Sequence, residues 1–407
     1  MKIGKPDFPT IFILLLLLSA AFKDDSDAIA NSEFWSELAV PAWLSIFKNN
    51  SDSLMVISGA IGFALSLRTT PVIFSISRTA LALLTLATLA VFRAIQDYPD
   101  AAPKLFLALL ISSFIFFVSG RLIARQGAAP FKTATTKAFV YFATILILTN
   151  GFIHILGYGF VPQNPRFFGT AIHPNFIGVQ LSICNIIIAS RFLATPRKAG
   201  KLFFFTAVLC LGLWLMLSSG SRTSLVIFLT GAAVLTTAGN KYRIKWWMIV
   251  MMGIILLAGI YIASAPTLQM AFYRGEGGGN TRTEAWATMI EQILEHPWIG
   301  HGHYTGQSEN SYLRAMSAFG IPYGIGMIAI LIACATRLLM QSLLNKSDQA
   351  SSQHLFLALI LAISVGGIFE GYIADSWSLP KLVFILLLAL LPKSPLSSST
   401  KTKHAKA

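Results

Sequence analysis

Apolar runs long enough to cross a lipid bilayer recur from one end of the chain to the other, separated by short polar stretches. About 20 apolar residues span the hydrocarbon core as a helix, and a helix satisfies its own backbone polar groups where water cannot. The runs predict about twelve spans: 8–22, 53–67, 79–95, 105–120, 138–159, 172–190, 202–219, 223–239, 246–264, 315–336, 355–374 and 379–392. The expected fold class is therefore all-α, a polytopic membrane protein with one large loop, 265–314, holding short amphipathic helices.

That loop carries helix signals of its own. Gly277-Gly278-Gly279 reads as a flexible joint, and Thr281 with Glu284 three residues later fits a capping box. Trp286, Met289, Ile290, Ile293 and Leu294 recur at helical spacing and predict an amphipathic helix lying on the membrane surface. His296-Pro297 ends it, because proline disfavours helical geometry in the residue before it. A second short helix is predicted from near Ser308 through Tyr312, Leu313 and Met316 toward Gly320, with Glu309 and Asn310 in its first turn. Residues 1–392 read as one integral membrane domain, followed by a polar Ser/Thr/Lys-rich tail, 393–407, expected to be disordered.

Composition excludes a soluble domain: 55% of the residues are hydrophobic, 12% are charged, and mean hydropathy is +0.67. The net charge of +14 would suggest nucleic acid in a soluble protein. Here the aromatic residues lie inside apolar runs rather than among the basic ones, so no nucleic-acid partner is expected. With a cytoplasmic N-terminus, the twelve spans put 21 of the 31 Lys and Arg on the inner side and 15 of the 17 acids on the outer side. The lysine and arginine bias sets the orientation, with both termini cytoplasmic and loop 265–314 outside. In a Gram-negative cell that means the inner membrane and its periplasmic face. Lys2 and Lys5 before the run Ile11–Phe22, with Ala28-Ile29-Ala30 beyond it, also fit a cleaved signal peptide. An uncleaved first span is the reading taken, since many spans follow. Cys184, Cys210 and Cys334 sit singly in apolar segments and read as packing residues.

The candidate chemistry lies on the outer face. Arg166, Arg222, Arg274, Arg282 and Arg314 could together surround a diphosphate, since a guanidinium binds phosphate oxygens in a bidentate fork. Two of them also have a plainer reading: Arg222 as an interfacial anchor, Arg282 as a snorkelling or salt-bridged side chain. Glu309 reads either as a helix-start acid suited to the dipole or as a reactive carboxylate. His301-Gly302-His303 lacks an evident third ligand, so a tight turn is expected there and no metal site.

Together these pieces resemble the O-antigen ligase and polymerase superfamily of bacterial envelope enzymes. The likeness rests on Arg166-x-x-Gly169 followed by Pro174-Asn175, on Ser221-Arg222-Thr223, on Arg282-x3-Trp286 followed by Glu295-His296-Pro297-x-x-Gly300-x-Gly302, and on Glu309-Asn310. The family's loop motif pairs His with Asn, Ser or Gln, then nine residues, then Gly-x-x-Gly, Thr or Tyr; Asn310, Gly320 and Tyr323 match its spacing. Glu309 stands where the family has His, proposed in the ligases as the base toward the acceptor hydroxyl. A carboxylate can also accept that proton.

The resemblance implies metal-independent glycosyl transfer without a cofactor. The implied donor is a polyprenyl diphosphate-linked oligosaccharide, and the acceptor is another lipid-linked glycan or lipid A core. Membrane lipids and a chain-length regulator are implied partners. Glu309, Arg222 and Arg282 then stand as catalytic residues, and Asn310, Arg166, Arg274 and Arg314 as substrate-binding ones. The departure at Glu309 tilts the reading toward polymerisation, with ligation as the alternative. A transporter of lipid-linked sugars is the competing class, disfavoured because the polar groups cluster at one face rather than at mid-membrane. A structural scaffold leaves the outward arginines unexplained.

Overall fold

The computed structural model describes residues 7–22, 40–67, 76–161, 166–194, 199–237, 281–304, 309–344, 350–374 and 377–391. The expected span 246–264, Arg274, the triple-glycine joint and the tail 393–407 lie outside the described residues, as does the candidate cleavage site.

The described residues form helices and no strand. In chain order these are α1 (Phe8–Ala21), α2 (Ala42–Asn49), α3 (Ser51–Leu67), α4 (Arg78–Asp97), α5 (Ala102–Gln126), α6 (Ala128–Ile155), α7 (Pro174–Ala194), α8 (Ala199–Ser218), α9 (Arg222–Thr237), α10 (Thr281–Glu295), α11 (Ser311–Phe319), α12 (Ile321–Leu344), α13 (Ala350–Gly366) and α14 (Leu379–Ala389). A single 3-10 turn, Pro99–Ala101, joins α4 to α5. Among the described residues, six helices are long and apolar enough to cross a membrane, or seven if α2 and α3, bent by 61°, count as one crossing. α1, α9, α13 and α14 are apolar but shorter. The chain is a multi-pass membrane protein.

Helix starts follow local chemistry. Asp7, Ser77 and Ser378 each accept the backbone N–H three residues on, relieving one of the unpaired donors at a helix N-terminus. α7 is apolar all round and lies at the centre: 78% of its span is buried, against 28% for α4 at the periphery. It packs on α6, α8 and α9, and α9 packs on α13.

Two expected spans are redrawn. The run 315–336 is not one span: Gly320 ends the short α11, and the membrane helix α12 begins at Ile321 and continues to Leu344. The run 355–374 stops as a helix at Gly366, and residues 367–374 turn across the end of the bundle. Ser311 anchors those turns, its N–H donating to the Gly367 carbonyl at 2.8 Å and its hydroxyl to the Glu370 carbonyl at 2.6 Å.

Candidate functional site

One end of the bundle gathers the starts of α7, α9, α10 and α11 with the ends of α8 and α13. Their side chains meet at Glu370, which is 6% exposed. Three donors converge on its Oε1: Arg282 Nη2 at 3.1 Å, Thr223 Oγ1 at 3.2 Å and Asn175 Nδ2 at 3.1 Å. Arg282 also donates to Thr223 Oγ1 at 2.9 Å and lies over the Phe369 ring, 5.8 Å from its centroid. Asn175 passes the network on, its Oδ1 accepting from Arg166 Nη2 at 2.7 Å. Arg166 Nε reaches the Ser219 carbonyl at 2.8 Å, tying the segment before α7 to the turn between α8 and α9.

Burial is the first cause acting on Glu370 and pushes its carboxyl up to about 7. Arg282 and the Thr223 hydroxyl oppose that rise, while the charge of Glu309 adds to it. Such a carboxyl changes charge near neutral pH, and perturbed groups of this kind concentrate at functional sites.

Arg282 is therefore salt-bridged, as its plainer reading held, and at the same time turned toward the bundle beside the start of α9. Arg222 is the first residue of α9 and is exposed, with no hydrogen-bonding partner among the described residues. The neighbouring Thr223 is buried in the Glu370 network. Arg282 is thus held at the start of the helix whose first residue is the exposed Arg222.

Glu309 and Asn310 do not occupy the first turn of a helix, as expected from the sequence. Asn310 is the cap of α11, its Oδ1 accepting from Tyr312 N and Leu313 N at 2.9 and 3.0 Å. Glu309 lies one residue before that cap and is half-buried. Its carbonyl accepts from Trp286 Nε1 at 3.3 Å, which fixes the approach to α11 against α10. Arg314, on α11, lies over the Tyr304 ring at 5.1 Å rather than in the Glu370 network.

The apolar stripe of α10 divides. Met289 and Ile293 are buried with Ala285 on the side that packs on α11, whereas Ile290 and Leu294 stay exposed beside Trp298 and Ile299. The His301-Gly302-His303 segment is a tight turn. Gly300 and Gly302 both take positive φ, and the segment pairs with α11 through His301 N to Ser317 O and Gly302 N to Ala318 O. Arg93 of α4 clamps it by donating to the carbonyls of Ile299 and Gly300, each at 3.3 Å, while ion-pairing with Asp97.

Sequence reasoning missed Glu370 altogether. The signal was present: a lone acid in an otherwise apolar run is costly unless paired, and so marks a buried ionic contact or a site. Asn175 and Thr223 had been noted only as motif members.

Residues 205–324 match the family described as O-Antigen ligase. That stretch runs from within α8 to the start of α12 and holds Arg222, Arg282, Glu309, Asn310 and Arg314. The chain is also similar to an O-antigen ligase of Pseudomonas aeruginosa, 32% identical over 89 residues. Those residues make up 22% of this chain, and the chain spans one fifth of that relative's length (20%).

Proposed function

We propose that this chain, which belongs to the O-antigen ligase superfamily, transfers an oligosaccharide from a polyprenyl diphosphate to a glycan hydroxyl at the periplasmic face of the inner membrane. The observation that carries this reading is the pair of arginines at the start of α9: Arg282 held by Thr223 and Glu370, and Arg222 exposed beside it. A held cation and an exposed one at a helix start suit an anionic leaving group, because a helix N-terminus favours anions and preorganised charge need not reorganise as the reaction proceeds.

In this mechanism the acceptor oxygen attacks the anomeric carbon, the new C–O bond forms, and the bond from that carbon to the diphosphate oxygen breaks. The diphosphate leaves with the electron pair, stabilised by Arg222 and Arg282. Glu309 takes the proton of the acceptor hydroxyl, its position set by the Trp286 contact and by the Asn310 cap. Arg166 steadies the site through Asn175, and Arg274 and Arg314 are assigned to the saccharide or the lipid-borne phosphates.

The acceptor separates two readings. Glu309 at the family's histidine position supports polymerisation onto a second lipid-linked glycan, with a chain-length regulator as a partner. The names of the matched family and of the Pseudomonas relative support ligation to lipid A core. A deletion strain distinguishes them. Single repeats on lipid A core indicate lost polymerisation, whereas polymer stranded on the polyprenyl carrier indicates lost ligation. Transfer by the purified protein from a lipid-linked donor tests the enzyme itself, and its absence with transport intact would overturn the reading in favour of a carrier.

A further inference from the structure

Arg282 already has an anion. The carboxylate of Glu370 sits 3.1 Å from its Nη2, in the position that a donor phosphate would compete for. A diphosphate arriving beside Arg222 and Arg282 brings negative charge close to a buried carboxylate. Like charges in a poorly solvated site cannot both persist cheaply, and the carboxylate escapes the conflict by taking a proton.

We infer that Glu370 is the positioning residue for Arg282, holding it as a carboxylate in the free protein and taking up one proton when the donor's diphosphate binds. This inference rests on the diphosphate reading of the site given above.

The geometry of the two oxygens supports the exchange. Oε1 accepts from Arg282, Thr223 and Asn175 together, and an uncharged carboxylic acid keeps that carbonyl-type acceptor. Oε2 has no hydrogen-bonding partner among the described residues and is where the proton goes, drawn from bulk water. Glu370 thereby keeps α7, α9 and α10 together in both states while releasing the charge of Arg282 to the phosphates. Among the described residues, the other charged or titratable groups acting on it or on its partners are Glu309 before α11, Tyr372 on its own segment and, through Tyr372, Tyr312 on α11, with His173 and Arg166 bonded to Asn175 and Arg222 next to Thr223 in the chain. Glu309 pushes in the same direction as the incoming diphosphate, and the tyrosines stay neutral, burial holding Tyr312 up at about 12.

The experiment is calorimetric binding of farnesyl diphosphate, as a short polyprenyl diphosphate, to the full-length purified protein in detergent. It is run in Hepes and in Tris between pH 6.5 and 9, for wild type and Glu370→Gln. The two buffers differ in ionisation enthalpy, so the comparison counts protons. Wild type should take up close to one proton more per bound diphosphate than Glu370→Gln at about pH 8. Its affinity relative to the variant should fall about tenfold per pH unit above neutrality. A merely structural role for Glu370 would shift affinity equally at every pH, and parallel curves with equal proton counts overturn the inference. An infrared difference spectrum of wild type alone, with and without farnesyl diphosphate, gives a readout independent of how the variant folds. A carboxylate band replaced by a carboxylic acid band supports the exchange, and an unchanged carboxylate overturns it. Failure of both proteins to bind farnesyl diphosphate overturns the diphosphate reading along with the inference, a signature distinct from binding without proton uptake.

Discussion

Arg282 and Glu370, 88 residues apart in the chain, meet at 3.1 Å and join the amphipathic helix α10 to the turn that follows α13. The bond does more than pair charges: through Thr223 and Asn175 it also fastens the starts of α9 and α7 to the same point. Removing the carboxylate leaves a partly buried guanidinium uncompensated. Breaking one partner of a buried pair costs about 3–5 kcal/mol. Glu370→Ala should therefore lower the thermal midpoint in detergent clearly and abolish transfer, while Glu370→Gln, which keeps the Oε1 acceptor, should stay folded. Equal midpoints for Glu370→Ala and wild type, measured by tryptophan fluorescence, would show that the pair is dispensable to the fold.

Arg222 should behave in the opposite way. It is exposed and has no hydrogen-bonding partner among the described residues, so its loss should move stability by no more than about 0.5 kcal/mol. If it stabilises the leaving diphosphate, Arg222→Ala should nonetheless slow transfer by about 10²–10³, the cost typical of deleting one preorganised charge-stabilising donor. Single-turnover rates at saturating donor are the appropriate measurement, and a rate within threefold of wild type counts against a catalytic role.

Glu309 offers a sharper distinction. A base role predicts that Glu309→Gln loses about 10²–10⁴ in rate with donor binding preserved. The cap of α11 belongs to Asn310, so this substitution leaves helix capping intact and a loss of rate cannot be assigned to it. Trp286→Phe removes the indole donor to the Glu309 carbonyl and should reduce the rate less, by letting the carboxylate wander. Full activity in Glu309→Gln would move the base elsewhere.

The pH dependence of stability has a definite sign. The carboxyl of Glu370 lies above its ordinary value of 4.5, at about 7, chiefly because it is buried. Its contribution to stability is thus fully present below about 4.5 and is lost as pH rises through about 7. The thermal midpoint of wild type minus that of Glu370→Gln should decline across this window and level off above it. A flat difference between pH 4.5 and 8 would place the carboxyl back at its ordinary value.

What was legible in the sequence followed from period and length. Of the eleven expected spans that fall on described residues, nine each follow a single helix, because a bilayer demands apolar runs of a certain length and a helix to carry them. The amphipathic stripe of α10 and the stop at Pro297 were visible for the same kind of reason. Side-chain partnership was less legible. Thr223 and Asn175 read as motif members at the starts of spans and Arg282 as a residue of the loop helix, and nothing local shows that all three share one oxygen. Glu370 was hidden further because the helix before it ends at Gly366, so an apolar run continued by Ile368 and Phe369 looked like membrane where the chain in fact turns.

The platform that carries Glu309 depends on two glycines facing each other across the loop. Gly300 has φ +62° and Gly320 has φ +87°, both in the region that side chains avoid. A methyl group on Gly320 would come within 2.3 Å of the Trp298 carbonyl oxygen, and one on Gly300 within 2.4 Å of the Ala318 carbonyl. These contacts are backbone against backbone, so no side chain can swing away to relieve them. The backbone conformation alone costs about 1–3 kcal/mol for a non-glycine residue, and the overlap adds to that. Gly320→Ala should therefore separate α11 from the 297–302 segment, disturbing the bonds from Ile321 N to Pro297 O and from Gly302 N to Ala318 O. Hydrogen exchange should rise at those amides, with the membrane helices unaffected and transfer reduced through misplacement of Glu309. Unchanged protection at Gly302 and Ile321 in the variant would show that the segment tolerates the methyl group and that the platform is not held by this contact.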